Sequence, residues 1–197
     1  MKTHNKTWMV YALGTIIISG GTALAGKPAS NHMKTMGRTS QPIGHYEYCK
    51  SYSRDCSIKS TRIAPTKLTR KRWKEMVTTN NYSNRSVVPV TDMEFYKREE
   101  FWTYPKNYGD CEDYVLLKRK LLMEKGWPAS SLLITVVTLP NGDGHAVLTV
   151  RTDRADYALD NLNDKVLQWN RTDYRFLKRQ SAKHSGKWIS IDDPRRS

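Results

Sequence analysis

Negative charge is scarce in this chain: 19 Asp and Glu stand against 33 Lys and Arg, a formal +14 over 197 residues. That excludes an acidic, self-repelling chain and biases encounters toward anionic surfaces, but it names no partner. Internal repeats and low-complexity tracts are missing, which excludes collagen-like, coiled-coil and solenoid architectures. Apolar segments recur through most of the length, so the chain is not disordered. It is long enough for one core and short for two, and a single compact domain is expected.

Long apolar runs are scarce as well. The run from Trp8 to Ile18 follows a start carrying Lys2 and Lys6 and precedes Ala23-Leu24-Ala25. A membrane-crossing helix needs about 20 apolar residues, which this run lacks. Residues 1–25 therefore read as a signal peptide cleaved after Ala25, which sends the protein to the periplasm or outside the cell. No transmembrane span is expected in the mature chain. Only Lys2 and Lys6 leave with the signal, so the basicity belongs to the exported part. Residues 26–41 are rich in Ser, Thr, Lys and Gly without an apolar period and are expected to be disordered; residues 42–197 are expected to form the domain.

There are three cysteines, an odd number for an exported chain. Cys49 and Cys56 bracket a polar segment with little core-forming power. A local disulfide is its natural use, contributing about 2–3 kcal/mol in the chain-entropy view. Cys111 is then left over, and an unpaired thiol in an oxidising space is either buried or reactive.

Thr66 to Asn81 has helical spacing: Thr66 or Thr69 can cap it, Leu68, Trp73, Met76 and Val77 form the stripe, and Asn80-Asn81 ends it. Val87 to Asp92 reads as extended. The aromatics Phe95, Tyr96, Phe101, Trp102 and Tyr104 read mostly as core or cleft wall. Cys111 to Lys125 is a second helix, stopped by Gly126. Leu132 to Thr138 suits a central strand, and His145 to Val150 with Tyr157 to Asp160 suits a hairpin. The tail, with Val166, Trp169, Tyr174, Phe176 and Trp188, adds short strands or a packed extension.

The second helix opens on Asp110-Cys111-Glu112-Asp113. Asp110 is a good N-cap and Asp113 can close a capping box. Free N–H groups and the helix dipole favour a thiolate at Cys111. Three neighbouring carboxylates oppose it, so a base or a cation must help. The hairpin supplies the base. A two-residue turn at Thr152-Asp153 faces Arg151 against Arg154 and sets His145 across from Asp160 on one sheet face; a four-residue loop is expected to keep that register. Cys111, His145 and Asp160 would then act as nucleophile, base and orienter. Each also has an ordinary reading: Cys111 as a small buried hydrophobe, His145 as a strand-end surface residue, Asp160 as part of a turn. His32, His45 and His184 sit in segments with little sign of order. Lys118, on the Cys111 face two turns on, is expected to snorkel or pair with an acid.

These residues resemble the bacterial transglutaminase-like cysteine proteinases across roughly residues 45 to 190. The match runs through Trp73, Asn80 and Asn84, Pro89-Val-Thr-Asp92, Trp102-Thr-Tyr-Pro105, Gly109-Asp-Cys-Glu-Asp-Tyr114, His145-Ala-Val-Leu148, Leu159-Asp-Asn161, Tyr174 and Trp188. The resemblance implies a papain-like or transglutaminase-like α+β fold, with the catalytic cysteine on a helix packed against an antiparallel sheet carrying His and Asp. It implies Cys111, His145 and Asp160 as the triad. Studied relatives are periplasmic endopeptidases that clip a surface adhesin, answer to an inner-membrane receptor and need calcium. Asp110, Glu112 and Asp113 match the acids beside their cysteine, a donor set that suits Ca2+.

The sequence thus points to an exported cysteine peptidase acting on a protein through an acyl-enzyme, with calcium and no organic cofactor. Two rivals differ in chemistry: transfer of the acyl group to an amine by a transglutaminase, and a non-catalytic basic module for anionic envelope polymers. Scattered basic residues, not interleaved with aromatics, speak against nucleic acid.

Overall fold

The computed structural model describes residues 30–195. The expected signal peptide, its cleavage site and residues 26–29 lie outside the described residues. In chain order the elements are β1 (Lys34–Thr39), α1 (Ile43–Ser51), α2 (Ser53–Cys56), α3 (Arg70–Ser86), β2 (Val88–Pro89), α4 (Asp92–Tyr96), β3 (Tyr108–Gly109) and α5 (Cys111–Glu124). Then come β4 (Leu132–Thr138), β5 (Gly144–Arg151), β6 (Asp156–Leu159), β7 (Leu167–Gln168), β8 (Arg175–Ser181) and β9 (His184–Asp192).

Seven strands form one sheet in the order β1-β9-β8-β4-β5-β6-β7, every pairing antiparallel. The apolar run of β4 places it in the middle, where both faces are covered. On one face Met76 of α3 and Val115, Leu116 and Leu122 of α5 pack against Ile134, Leu148 and Val150. On the other, Val137 and Val147 pack with Trp169, Phe176 and Ile191. This is the expected α+β class. Gly126 ends α5 with a positive φ of 82°, the left-handed stop its glycine permits.

Several expectations need correction. Residues 34–39, expected to be disordered, form the edge strand β1 paired with β9. Its side chains are exposed, so it carries no apolar period; backbone pairing, buried Met33 and the Lys34–Asp192 ion pair at 2.8 Å hold it instead. Helix α3 begins after its cap Thr69 and runs five residues past Asn81. Asn80 and Ser83 are buried on its inner face, and the amides of Asn80 and Asn84 bond the loop after β6, so the polar run that looked like an end is an interface. The third concerns Phe95, which is exposed, although Trp102 is buried as expected.

Near the N-terminal side of the sheet, Cys49 and Cys56 are disulfide-bonded with Cα atoms 5.6 Å apart, and Cys111 is the free cysteine among the described residues. His45 is not in a loose segment. It is buried beside that disulfide, Trp188 Nε1–H donates to its Nδ1, and burial pushes its imidazole down to about 4.

Candidate active site

The β5–β6 hairpin turns through four residues, Thr152 to Ala155, with Arg151 opposite Asp156 and Leu148 opposite Leu159. An even loop keeps the face but moves the register by two, so Asp160 is the diagonal and not the direct neighbour of His145. The diagonal is within reach of an imidazole. His145 Nε2 meets Asp160 Oδ1 at 2.8 Å, and both side chains are buried.

Asp160 is itself fixed from three directions. Leu162 N–H donates to Oδ1 at 3.0 Å, Tyr174 O–H donates to Oδ2 at 2.5 Å, and the Asn84 amide holds its carbonyl at 2.9 Å. Burial alone would raise the carboxyl, but His145, Tyr174 and the Leu162 amide bring it below its ordinary value. The Tyr174 ring also stands edge-on to the imidazole, centroids 5.8 Å apart. An ionised carboxylate can only accept, so the Nε2 facing it carries the proton and Nδ1 keeps a lone pair.

Cys111 starts α5 and packs against the core cluster that holds Ala146, the β5 residue next to His145. No hydrogen bond joins Cys111 to His145 among the described residues. The thiol donates instead to Glu112 Oε2 at 3.2 Å. Alternation explains the offset: Ala146, Leu148 and Val150 face α5, while Val147 faces the other cluster, and His145 shares its parity. Burial, then the charge and hydrogen bond of Glu112, push the thiol well above its ordinary range; the Ala146 N–H works against them.

The acids at the helix start do not form the expected capping box. Asp110 sits at the N-cap without capping, and its Oδ2 accepts from Asp92 N–H at 3.2 Å. Asp113 is fully buried and accepts from Thr103 N–H at 2.8 Å, while Asp92 accepts from Phe101 N–H. One carboxylate oxygen each from Asp92, Asp110 and Asp113 lies within 4.8 Å of the others. Each of the three also keeps one buried oxygen without a hydrogen-bond partner among the described residues. Glu112 stands beside this trio and turns to Cys111. No local sequence signal assigns Asp92 to the site; the parallel pairing of β2 with β3, Pro89 beside Gly109, carries it to the start of α5. Gly109 is required there, because a Cβ would come within 2.7 Å of Asp113 Oδ2.

The cluster holds its protons tightly. Burial, then the charge of Asp110, raises Glu112 to about 10, and burial with the neighbouring Asp110 and Asp92 raises Asp113 to about 8. Burial also raises Asp92 and Asp110. Buried acids with unused oxygens converging on one point are the donor set that a hard oxygen-seeking cation takes.

The sequence profile of the bacterial transglutaminase-like cysteine proteinases matches residues 35–196. The chain belongs to this family. It is a cysteine peptidase, and its free cysteine is the one at the start of α5. Among solved structures, calcium-bound LapG of Legionella pneumophila superposes with a TM-score of 0.52 at 21% identity, over 80% of this chain and 87% of that one. A second LapG structure gives 0.51 at 21%, over 79% and 83%. The EGTA-treated form gives 0.51 at 20%, over 80% and 82%. At this identity the likeness is one of fold. No curated protein matches the chain significantly. Among the described residues no helix is long and apolar enough to cross a membrane.

Proposed function

We propose that this proteinase is an exported endopeptidase with Cys111 as nucleophile, His145 as base and Asp160 as orienter. The observation that carries the reading is the buried His145–Asp160 pair at 2.8 Å, one residue along β5 from Ala146, whose cluster Cys111 packs against. With Nε2–H committed to Asp160, Nδ1 is the nitrogen left to take the thiol proton. The sulfur then bonds the peptide carbonyl carbon, and the leaving amine departs with the proton from His145. Water, losing its proton to His145, releases the acid and restores the thiol. The signal-like residues 1–25 and the Cys49–Cys56 disulfide support an oxidising compartment, the periplasm or the exterior. The family resemblance supports a surface adhesin as substrate and an inner-membrane receptor as regulator.

Whether water or an amine resolves the acyl-enzyme is tested with a glutamine-containing protein and a labelled primary amine. Hydrolysis gives new peptide termini without label; amine incorporation with ammonia release would make the enzyme a transglutaminase. Asp160→Asn tests the orienter. The amide still offers an oxygen to His145 and Leu162 and an NH2 to Tyr174, so the fold survives while the charge that stabilises the imidazolium is lost. A fall in kcat of about 100-fold or more is expected, and unchanged kcat would remove Asp160 from the triad.

Calcium belongs to the same proposal, supported by the calcium-bound and EGTA-treated relatives and by the unused oxygens of Asp92, Asp110 and Asp113. A bound Ca2+ would supply positive charge beside the acids that raise the Cys111 thiol. Raised carboxyls are protonated at neutral pH and must lose their protons to bind metal, so affinity should increase as pH rises toward 8. Calorimetric titration with CaCl2 at neutral pH, in buffers of different ionisation heat, should show proton release. Asp92→Asn should weaken binding by about tenfold or more. Binding without proton release, unmoved by that substitution, would place calcium elsewhere.

A further inference from the structure

The basic residues are spread over most of the chain, with one exception: between Asp55 and Glu75 there are seven Lys and Arg and no acid. This segment borders a cleft of about 380 Å3 between the start of α3 and the turn that follows α5. Arg62, Lys67 and Arg72 line it, and no acid does. The side chains of Arg62 and Lys67 are exposed and make no ion pair or hydrogen bond among the described residues. Arg72 is pinned over the Trp127 ring, 5.0 Å from its centroid, also without an ion pair among the described residues. Two acids nearby in the fold are engaged elsewhere: Glu75 accepts from Trp127 Nε1–H at 2.9 Å, and Asp153 accepts from Leu68 N–H at 2.8 Å. Three cations held together without an acid repel one another, and an anion between them removes that cost.

Two further kinds of donor belong to the cleft. Thr69, the N-cap of the 17-residue α3, is part of its lining; Oγ1 takes the Arg72 N–H at 3.2 Å and leaves the earlier amides of the first turn to a ligand. Ser130, only 2% exposed, lines the cleft from the turn Ala129–Ser131, and its Oγ has no hydrogen-bond partner among the described residues. A buried hydroxyl without a partner is costly, and an anion that enters the cleft gives it one.

The walls are fixed. Thr66 N–H donates to the Arg151 carbonyl at 3.1 Å and Thr66 Oγ1 to Ser131 Oγ at 2.9 Å, while the Arg151 guanidinium donates to the carbonyls of Ile63 and Ser130 at 3.0 and 3.2 Å. The cleft is therefore shaped before a ligand arrives, which lowers the ordering cost of binding. Thr66 bridges to Thr152, just past the end of β5, whereas His145 is near its start, roughly 20 Å away along the strand. The cleft is thus separate from the candidate active site.

We propose that this cleft binds a phosphoryl group, free or borne by a lipid headgroup, through Arg62, Lys67 and Arg72, the amides at the start of α3 and the Ser130 hydroxyl. A phosphoryl group is tetrahedral and carries more than one charge, so it can meet guanidinium, ammonium, amide and hydroxyl donors arriving from different elements. A carboxylate offers only two oxygens in one plane.

Calorimetric titration of the enzyme with sodium pyrophosphate, without added calcium and at about 0.1 M ionic strength, should show one saturable site. A glutamate-rich peptide should bind more weakly. Arg62→Gln with Lys67→Gln removes two exposed, unpartnered cations and should weaken pyrophosphate about tenfold or more at an unchanged melting temperature. Arg38→Gln with Arg85→Gln removes the same charge from edge strand β1 and the last turn of α3, and should change affinity by less than about twofold, since distant charges are screened. Ser130→Ala keeps the charge and should weaken binding about fivefold. Flotation with phosphatidylcholine vesicles, with and without phosphatidic acid, separates the two sources. Capture by phosphatidic acid that Arg62→Gln with Lys67→Gln abolishes assigns the lipid headgroup; pyrophosphate binding without capture assigns a free anion. Neither binding nor capture overturns the proposal. So do equal losses in the two double variants, undiminished binding by Ser130→Ala, and tighter binding of the peptide, which would give the cleft to acidic protein segments. If one cleft variant fails to fold, the other decides by the same criteria.

Discussion

Cys111→Ala should lose roughly 10⁴-fold or more of the proteolytic activity while melting within a few degrees of the unsubstituted protein. The nucleophile forms the bond that splits the reaction into two steps, and no second thiol can replace it, because Cys49 and Cys56 are tied to each other. The fold should tolerate the change. The residue is only partly buried, and the change removes one thiol hydrogen bond, the one donated to Glu112. Activity on a protein substrate, followed by appearance of new termini, together with a thermal scan checks both halves. Retained cleavage would move the nucleophile elsewhere; lost cleavage with a collapsed melting curve would mean that Cys111 serves packing.

Much of this site is legible along the chain because it depends on local rules. The helix that starts at Cys111 and stops at Gly126 follows from end signals, and the pairing of His145 with Asp160 on one face follows from the parity of an even turn. Parity does not fix register, so the diagonal relation of the two needed the observed four-residue loop. Other parts depend on contacts distant in sequence. Asp92 joins the acid cluster only because β2 lies beside β3, a two-residue pairing too short to carry a strand signal. β1 is an edge strand with exposed side chains, and nothing in its pattern distinguishes it from a disordered arm. Helix α4 was within reach: Thr91 and Glu94 have capping-box spacing, and the box is formed, but the aromatics that follow drew the reading toward core.

Burial and the neighbouring acids raise the Cys111 thiol, so a thiolate there needs a base or a cation. The extended α3 holds the site differently: its Asn80 and Asn84 look like a helix terminus in sequence, and their amides clamp the loop that carries Asp160.

The second large effect is that of His145 on the sulfur. Burial and the Glu112 and Asp110 charges hold the Cys111 thiol well above its ordinary range, so without a proton acceptor almost none of it is thiolate at neutral pH. In the proposed triad the imidazole, with Nε2–H held by Asp160, accepts that proton. The decisive measurement is the iodoacetamide alkylation rate of Cys111 at neutral pH in the unsubstituted enzyme and in His145→Ala, with calcium present for both. A drop of about 100-fold in His145→Ala, with an unchanged melting temperature, is expected. Equal rates in the two proteins would mean that the imidazole does not activate the thiol.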